Sequence, residues 1–133
     1  MATVGQLMGR DVSFIHEEAS IQDAARSMHA KRIGSLLVKK EDDFSGIVTE
    51  TDVVQAVAEQ PAKVGRLTVK ELMSFPIITI DRKMAPQYAR DLMADRKIRH
   101  LGVTEEGKII GIISVRDLLA YFKTVSKDLE EIG

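Results

Sequence analysis

The sequence of 133 residues contains no cysteine and no tryptophan. Without cysteine, the chain can form no disulfide bond, no thiolate metal site and no cysteine nucleophile. This composition suits the cytoplasm, where we expect the protein. Aromatic residues make up only 5% of the chain, which is fewer than a stacking platform for single-stranded nucleic acid would need.

The sequence also lacks a long apolar segment and a dominant charge. No apolar run reaches the length of a signal peptide or of a membrane-spanning helix. The 19 basic and 20 acidic residues give a formal net charge of -1, so nothing attracts the whole chain to nucleic acid or to an anionic membrane. We expect neither as a partner, and any anion site must be local.

A gapless internal repeat organises the chain, because a shift of 65 positions aligns residues 4–57 with 69–122. A chance match would not keep the apolar positions in phase across five elements. Residues 1–60 therefore form a first repeat, 61–68 a linker marked by Pro61 and Gly65, and 69–133 a second repeat with a longer last helix. The clearest matches are Leu7-Met8 with Leu72-Met73, Gly46-Ile47-Val48-Thr49 with Gly111-Ile112-Ile113-Ser114, and Asp52 with Asp117.

Each repeat has the pattern β-α-β-β-α, which predicts an α/β (α+β) fold. One repeat has too few elements to bury both faces of its sheet, so we expect the two copies to pack sheet against sheet about a pseudo-two-fold axis. Ser20-x-x-Asp23 predicts the start of the first helix, and Pro86 suits the first turn of its counterpart. The predicted strands are 12–15, 35–38, 44–48, 77–80, 100–103 and 109–113, and the other helices are 50–58 and a last helix after 114.

A motif that can carry chemistry recurs where the third strand of each repeat meets a helix. Residues 46–52 are Gly-Ile-Val-Thr-Glu-Thr-Asp, and residues 111–117 are Gly-Ile-Ile-Ser-Val-Arg-Asp. Backbone N–H groups at a helix start attract phosphate. The carboxylate can accept hydrogen bonds from the vicinal hydroxyls of a ribose, and the glycine would let a flat ligand approach the strand. The same Thr/Ser-x-x-Asp spacing also fits an N-terminal cap that binds no ligand.

These motifs, the Leu-Met openings and the segment Ile33-Gly34-Ser35-Leu36-Leu37-Val38 together resemble a cystathionine β-synthase (CBS) domain, present twice. The resemblance covers residues 4–60 and 69–122. It implies a CBS pair, or Bateman module, with two symmetry-related clefts. Many members of this family bind adenosine-containing ligands there, such as AMP, ADP, ATP or S-adenosylmethionine.

The resemblance also implies the ligand-binding residues. Asp52 and Asp117 would hold a ribose, and Thr49 and Ser114 are the motif hydroxyls. Each cleft would combine the motif of one repeat with the first two strands of the other. One implied set is Thr49, Asp52, Ile78, Ile98 and Arg99, and the other is Ser114, Asp117, Ser13, Ile33 and Gly34.

Basic residues distinguish the second repeat at this place. Arg116 precedes the motif aspartate, where the first repeat has Thr51, and Arg99-His100 stand where the first repeat has Gly34-Ser35. The resemblance places such side chains near ligand phosphates. We therefore do not expect the two clefts to be occupied equally.

The resemblance implies a regulatory sensor without catalytic activity. It would need no cofactor, bind an adenine nucleotide, form a homodimer and act in trans on a regulated protein that the sequence does not identify. No activated nucleophile and no metal-ligand spacing among His16, His29 and His100 indicates an enzyme or a metal site. The alternative is a structural or assembly module without a tightly bound ligand, in which the motifs only cap helices.

The last helix carries an apolar stripe at helical spacing. The stripe can pack on its own repeat or on a partner, and self-packing is the simpler interpretation. Its residues are Leu118, Leu119, Phe122, Val125, Leu129 and Ile132.

Overall fold

The computed structural model shows an α+β protein with two three-stranded sheets. It describes residues 1–9 and 11–132, and their side chains up to residue 126. The first elements are α1 (Val4–Leu7), β1 (Phe14–His16), α2 (Ile21–Lys31), β2 (Ser35–Lys40), β3 (Asp43–Thr49) and α3 (Glu50–Glu59). After a 3-10 turn at Val64–Arg66 follow α4 (Val69–Leu72), β4 (Thr79–Asp81), α5 (Pro86–Arg96), β5 (His100–Glu105), β6 (Lys108–Ser114) and α6 (Val115–Ile132).

The two sheets have the same topology. β1 pairs in parallel with β2, which pairs antiparallel with β3, and the order β4-β5-β6 repeats this arrangement. The register places Ser35 opposite Thr49 and His100 opposite Ser114. The end of each motif strand therefore lies beside the start of the central strand. The predicted fold of two repeats, each with a three-stranded sheet and helices, is confirmed.

The matching helices α2 and α5 begin as their sequences predict. The Ser20 hydroxyl oxygen accepts a hydrogen bond from the Asp23 N–H at 3.0 Å, and Pro86 occupies the start of α5. Both helices end at a basic residue in the left-handed conformation, Arg32 and Lys97, each with φ of 55°.

The chain divides into two compact units whose boundaries differ from those of the sequence repeats. One unit is Ser13–Ile77, and the other combines Met1–Val12 with Ile78–Gly133. Each sheet is thus extended by a short segment from the start of the other repeat, since Ser74 bridges to Ile47 and Gly9 bridges to Ile112. We call residues 3–9 and 68–74 the lead-in segments.

The docking of the lead-in segments is the same in both units. The Val69 N–H donates to the Ala19 carbonyl at 2.8 Å, and the Val4 N–H donates to the Met84 carbonyl at 2.8 Å. Val69 and Val4 are fully buried, so each lead-in segment contributes an apolar side chain to a core made mainly by the other repeat. The core of the unit Ser13–Ile77 also contains Ile21, Leu36, Val38 and Val48, and that of the other unit Leu101, Val103, Ile113 and Leu118.

The strands β1 and β4 start later than predicted, and the other four strands extend one or two residues beyond their predicted bounds. β1 was expected at 12–15 and β4 at 77–80, but they are Phe14–His16 and Thr79–Asp81. The apolar residues Val12 and Ile77 suggested earlier starts. A parallel edge strand instead starts where its pairing with the neighbouring strand starts. β1 pairs with β2 only from Phe14 onward, and β4 pairs with β5 only from Thr79 onward. The pseudo-two-fold packing of the two sheets stays a prediction.

The last helix, α6, has 18 residues, whereas α3 has 10. Leu118 is buried in the core of its own unit, and Phe122 packs against the same core, which confirms self-packing for this part of the stripe. Leu119 is exposed, and the side chains of Leu129 and Ile132 lie outside the described residues. No helix among the described residues is long and apolar enough to cross a membrane.

Candidate functional site

The first motif forms a hydrogen-bonded junction between β3 and α3. The Asp52 carboxylate oxygen Oδ2 accepts a hydrogen bond from the Thr49 N–H at 2.8 Å and another from the Thr49 hydroxyl at 3.2 Å. Thr49 and Asp52 thus form a capping box at the start of α3. The N-terminal cap that the Thr-x-x-Asp spacing predicts is therefore present.

The second motif forms the same junction between β6 and α6. Asp117 Oδ2 accepts from the Ser114 N–H at 2.8 Å and from its hydroxyl at 3.0 Å. In return, the Asp117 N–H donates to Ser114 Oγ at 3.2 Å. Each motif carboxylate is therefore fixed in orientation by its own repeat.

These hydrogen bonds do not by themselves indicate a ligand site. At the start of α4, Glu71 Oε2 accepts from the Thr68 N–H at 2.7 Å and from the Thr68 hydroxyl at 3.2 Å. The same bonding pattern thus occurs in a lead-in segment, to which the resemblance assigns no ligand-binding residue. What distinguishes Asp52 and Asp117 is that both are half-buried, whereas Glu71 is exposed.

Burial has an electrostatic consequence for Asp52. Desolvation raises the pKa of its carboxyl above the ordinary value of 3.8. The hydrogen bonds from the Thr49 backbone and hydroxyl lower the same pKa, but they do not offset the burial. The anionic form of this carboxyl is thus held at some cost, and hydrogen-bond donors of a ligand would stabilise it.

In the unit Ser13–Ile77, three other predicted site residues lie at the same end of the sheet as the motif. The Glu50 N–H donates to the Gly34 carbonyl at 3.0 Å, and the Leu37 N–H donates to the Ser13 carbonyl at 3.1 Å. Ile33 precedes Gly34 and is half-buried. We call Ser13, Ile33, Gly34, Thr49 and Asp52 the Thr49 cluster.

The other unit brings together the equivalent residues. The Val115 N–H donates to the Arg99 carbonyl at 2.9 Å, and the Gly102 N–H donates to the Ile78 carbonyl at 3.0 Å. His100 pairs with Ser114 across the sheet, and Arg116 lies in the first turn of α6. We call Ile78, Ile98, Arg99, Ser114 and Asp117 the Ser114 cluster, flanked by His100 and Arg116.

Within each unit the structure therefore groups each motif with the strands of its own repeat. The resemblance grouped each motif with the strands of the other repeat, and that combination stays a prediction. The backbone contacts of Gly34 and Arg99 could have been anticipated, because an antiparallel pair places the start of one strand beside the end of the next.

The motif glycines have a packing role that differs from the expected one. A Cβ atom on Gly46 would lie 2.7 Å from the Ser74 carbonyl oxygen and 2.8 Å from Met73 Sδ. A Cβ atom on Gly111 would lie 2.8 Å from Met8 Sδ. The side of the strand that was expected to admit a flat ligand is occupied by a lead-in segment, so that expectation was wrong. The repeated Leu-Met pair was the signal for this contact.

The surroundings of the two clusters differ in charge at equivalent positions. Arg99, His100 and Arg116 flank the Ser114 cluster, whereas the first repeat has Gly34, Ser35 and Thr51. In the opposite sense, the exposed Glu50 begins α3 where Val115 begins α6. Among the described residues, no three histidine or carboxylate side chains are grouped as a metal site would require.

The model of the CBS domain family matches residues 4–59 and again residues 69–124. The chain belongs to the CBS-domain family. The two matches follow the internal repeat, so the protein is a CBS pair.

Solved structures of CBS-domain proteins resemble about nine tenths of the chain. A putative signal-transduction protein with CBS domains from Burkholderia ambifaria is 32% identical, covers 91% of this chain and 93% of its own, and superposes with a TM-score of 0.86. A hexameric CBS-CP12 protein from bloom-forming cyanobacteria is 30% identical over 90% of this chain and 70% of its own, with a TM-score of 0.81.

A more distant CBS pair was solved with ligands. The CBS domain pair of protein MJ0100, in complex with 5′-methylthioadenosine and S-adenosyl-L-methionine, is 21% identical and has a TM-score of 0.83. It covers 93% of this chain and 98% of its own. At this identity the likeness concerns the fold.

Proposed function

We propose that this CBS pair is a regulatory module that binds an adenosine-containing ligand at the two motifs, Thr49 with Asp52 and Ser114 with Asp117, and catalyses no reaction. The observation that carries the proposal is the half-buried carboxylate at each cluster, fixed in orientation by its capping box at the end of a sheet. The adenosine ligands of the MJ0100 domain pair support the ligand class.

The chemistry of the clusters suits a ribose. Both capping bonds to Asp117 use Oδ2, and a carboxylate has lone pairs on both oxygens with which to accept further hydrogen bonds. Two vicinal hydroxyls can donate to such a group without rearranging it. A capped aspartate is already ordered, so the ligand need not offset the entropy of fixing its side chain.

Calorimetric titration of AMP, ADP, ATP and S-adenosylmethionine tests the proposal. Asp117→Asn keeps the shape and part of the cap but weakens acceptance from a diol. We expect its affinity to fall at least tenfold, about 1.4 kcal/mol. The unliganded protein should lose less stability than that, because a cap contributes about 1 kcal/mol. Asp52→Asn should cost less affinity than Asp117→Asn, since Thr51 stands where Arg116 stands in the second repeat.

Glu71→Gln is the matched control for these variants. It weakens a capping box of the same geometry outside the motifs, so it should change stability slightly and affinity not at all. If no adenosine ligand binds the wild-type protein below millimolar concentration, the alternative of a structural or assembly module is favoured. If Asp52→Asn is the more damaging change, the ranking of the two clusters is wrong.

We further propose that the module acts on a partner protein in trans and works in the cytoplasm. A ligand changes a partner's activity only if it binds two states of the module with different affinity. Cross-linked partner capture from cell extract, with and without the best ligand of the titration, tests this. Capture that the ligand leaves unchanged would contradict regulation by the ligand.

A further inference from the structure

The two lead-in segments dock with the same backbone hydrogen bonds but carry different residues at that contact. The Lys70 N–H donates to the Glu17 carbonyl at 2.9 Å, and the Gly5 N–H donates to the Arg82 carbonyl at 2.8 Å. The shift of 65 positions relates Gly5 to Lys70 and Glu17 to Arg82. One unit therefore has an acidic residue facing a basic one, and the other has a basic residue facing a glycine.

Glu17 is a buried acidic residue whose cation comes from the lead-in segment. The residue is 6% exposed, and Lys70 Nζ lies 3.9 Å from its Oε1. Among the described residues, the other group that bonds this carboxyl is the Ser45 hydroxyl, which donates to Oε2 at 3.4 Å. Removal of the cation from a buried carboxylate is strongly destabilising. A lead-in segment without a basic residue at this place would leave Glu17 with Ser45 alone.

Arg82 has its carboxylate on its own sheet. Its Nε forms an ion pair with Glu105 Oε1 at 3.0 Å, without the geometry of a hydrogen bond. A Cβ atom on Gly5 would lie 3.0 Å from the Arg82 Cβ and 3.1 Å from the Arg82 carbonyl oxygen. A side chain at this place would therefore crowd Arg82, and a lysine would also bring a like charge near its guanidinium. A glycine does neither.

Backbone and apolar contacts do not decide which segment docks on which sheet. Val4 and Val69 are fully buried in their units, and each is followed at the same spacing by a Leu-Met pair. Unexchanged docking, in which each segment lies on the sheet of its own repeat, would keep equivalent backbone and apolar contacts. What would change is the pairing of the charged residues.

We propose that Gly5, Glu17, Lys70 and Arg82 form a recognition code that directs each lead-in segment to the sheet of the other repeat. The sheet with Glu17 takes the segment with Lys70, because this lysine is the cation of the buried carboxyl. The sheet with Arg82 takes the segment with Gly5, which adds neither bulk nor charge. Unexchanged docking would place Gly5 against Glu17 and Lys70 against Arg82, and the code disfavours both contacts.

Engineered disulfides can report the docking, because the chain has no cysteine of its own. Ser74 and Ile47 are bridged and exchange two backbone hydrogen bonds. Such a pair has Cα atoms about 5.5 Å apart, within the range of a disulfide. The reporter chain carries Gly9→Cys, Ile47→Cys and Ser74→Cys. The thiol at position 47 can then bond with position 74 in exchanged docking or with position 9 in unexchanged docking.

The reporter chain is refolded from urea in a glutathione buffer, and links within single chains are counted by peptide mass spectrometry. We expect the link to position 74 to dominate. Gly5→Lys with Lys70→Gly moves the lysine to the other segment, so the link to position 9 should gain about tenfold relative to the link to position 74. Adding Glu17→Arg and Arg82→Glu restores complementary contacts and should reverse most of this gain.

The control exchanges the next residue of the two segments. Gln6→Glu with Glu71→Gln moves a charge between the segments and keeps a side-chain acceptor for the cap at each. It should leave the ratio of the two links unchanged. If Gly5→Lys with Lys70→Gly also leaves the ratio unchanged, chain connectivity alone fixes the docking and the code is overturned.

A second measurement needs no refolding of an altered segment onto a new sheet. In urea denaturation of chains without the reporter cysteines, Lys70→Met should lower the unfolding midpoint of the wild type at least twice as far as that of Glu17→Gln. Equal shifts in the two backgrounds would show that Lys70 does not act through Glu17, which would overturn the code. No ligand takes part in these measurements, so their outcome is independent of the proposed function.

Discussion

At the scale of single residues, Gly46 and Gly111 are where the lead-in segments come closest to the sheets. A methyl group at either position would lie under 3.0 Å from a methionine sulfur and a backbone oxygen. We expect Gly46→Ala and Gly111→Ala each to lower the free energy of unfolding by about 1–3 kcal/mol, the usual cost of overpacking. Urea denaturation measures this.

Gly65→Ala is the control for these two changes, because nothing lies within 4 Å of its added Cβ. Its stability should match that of the wild type or exceed it slightly. Alanine variants at Gly46 and Gly111 as stable as Gly65→Ala would show that the lead-in segments do not pack against the motif strands.

The raised pKa of Asp52 makes its contribution to stability depend on pH. A carboxyl whose pKa is raised by folding contributes stability that is full below its unfolded pKa, near 3.8, and is lost as the pH rises through the folded value. The variant Asp52→Asn has no carboxyl at this position, so its stability does not fall for this reason as the pH rises. The unfolding free energy of the wild type minus that of Asp52→Asn should therefore fall as the pH rises from about 4.

Urea denaturation of both proteins between pH 4 and pH 7 gives this difference directly. All other titrating groups are shared and cancel between the two proteins. A difference that rises with pH would mean that folding lowers the pKa of Asp52.

At the scale of elements, α2 and α5 end alike, and both endings carry a conformational cost. Arg32 and Lys97 have φ of 55°, a region that glycine adopts without the steric penalty of a Cβ atom. We expect Arg32→Gly and Lys97→Gly each to raise the free energy of unfolding by about 0.5 kcal/mol. The gain is partial because glycine also increases the entropy of the unfolded chain.

A glycine inside the helix should have the opposite effect. Ala94→Gly, in the last turn of α5, should lower stability by about 1 kcal/mol. Thermal and urea unfolding of the three variants would reveal the contrast in sign. If Arg32→Gly and Lys97→Gly are both as destabilising as Ala94→Gly, the assignment of a left-handed conformation to Arg32 and Lys97 is wrong.

At the scale of the whole molecule, α3 and α6 each present an exposed apolar side chain at an equivalent position. Val54 is 67% exposed and Leu119 is 65% exposed. Single exposed apolar side chains are common, whereas a contiguous apolar patch marks a surface that meets a partner, and we propose a homodimer in which Val54 and Leu119 contact the second copy. Light scattering at high micromolar concentration should give about twice the chain mass of 14.8 kDa.

The double change Val54→Glu and Leu119→Glu should return the mass to that of one chain. Tyr88→Glu alters another exposed residue, on α5, and should leave the dimer intact. A wild-type mass of one chain, or of six as in a hexamer, would contradict the homodimer.

The sequence predicted those features that depend on neighbours along the chain. The caps at Ser20, Thr49 and Ser114 join residues three positions apart, so their hydrogen bonds are visible as spacing in the sequence. The repeat and the alternation of strands and helices follow from periodicity in the same way, whereas the family was indicated by the resemblance of the motifs. The ends of β1 and β4 were misplaced because they depend on a partner strand more than twenty residues away.

The sequence by itself determined the two repeats, their elements and the capped carboxylates, because local spacing and apolar periodicity encode all three. Only the tertiary structure decided that the lead-in segments exchange between repeats and that Gly46 and Gly111 make room for Met73 and Met8. It also decided that Asp52 is buried enough to raise its pKa. These features join distant parts of the chain or depend on burial, and no short-range pattern in the sequence specifies which segment covers which strand.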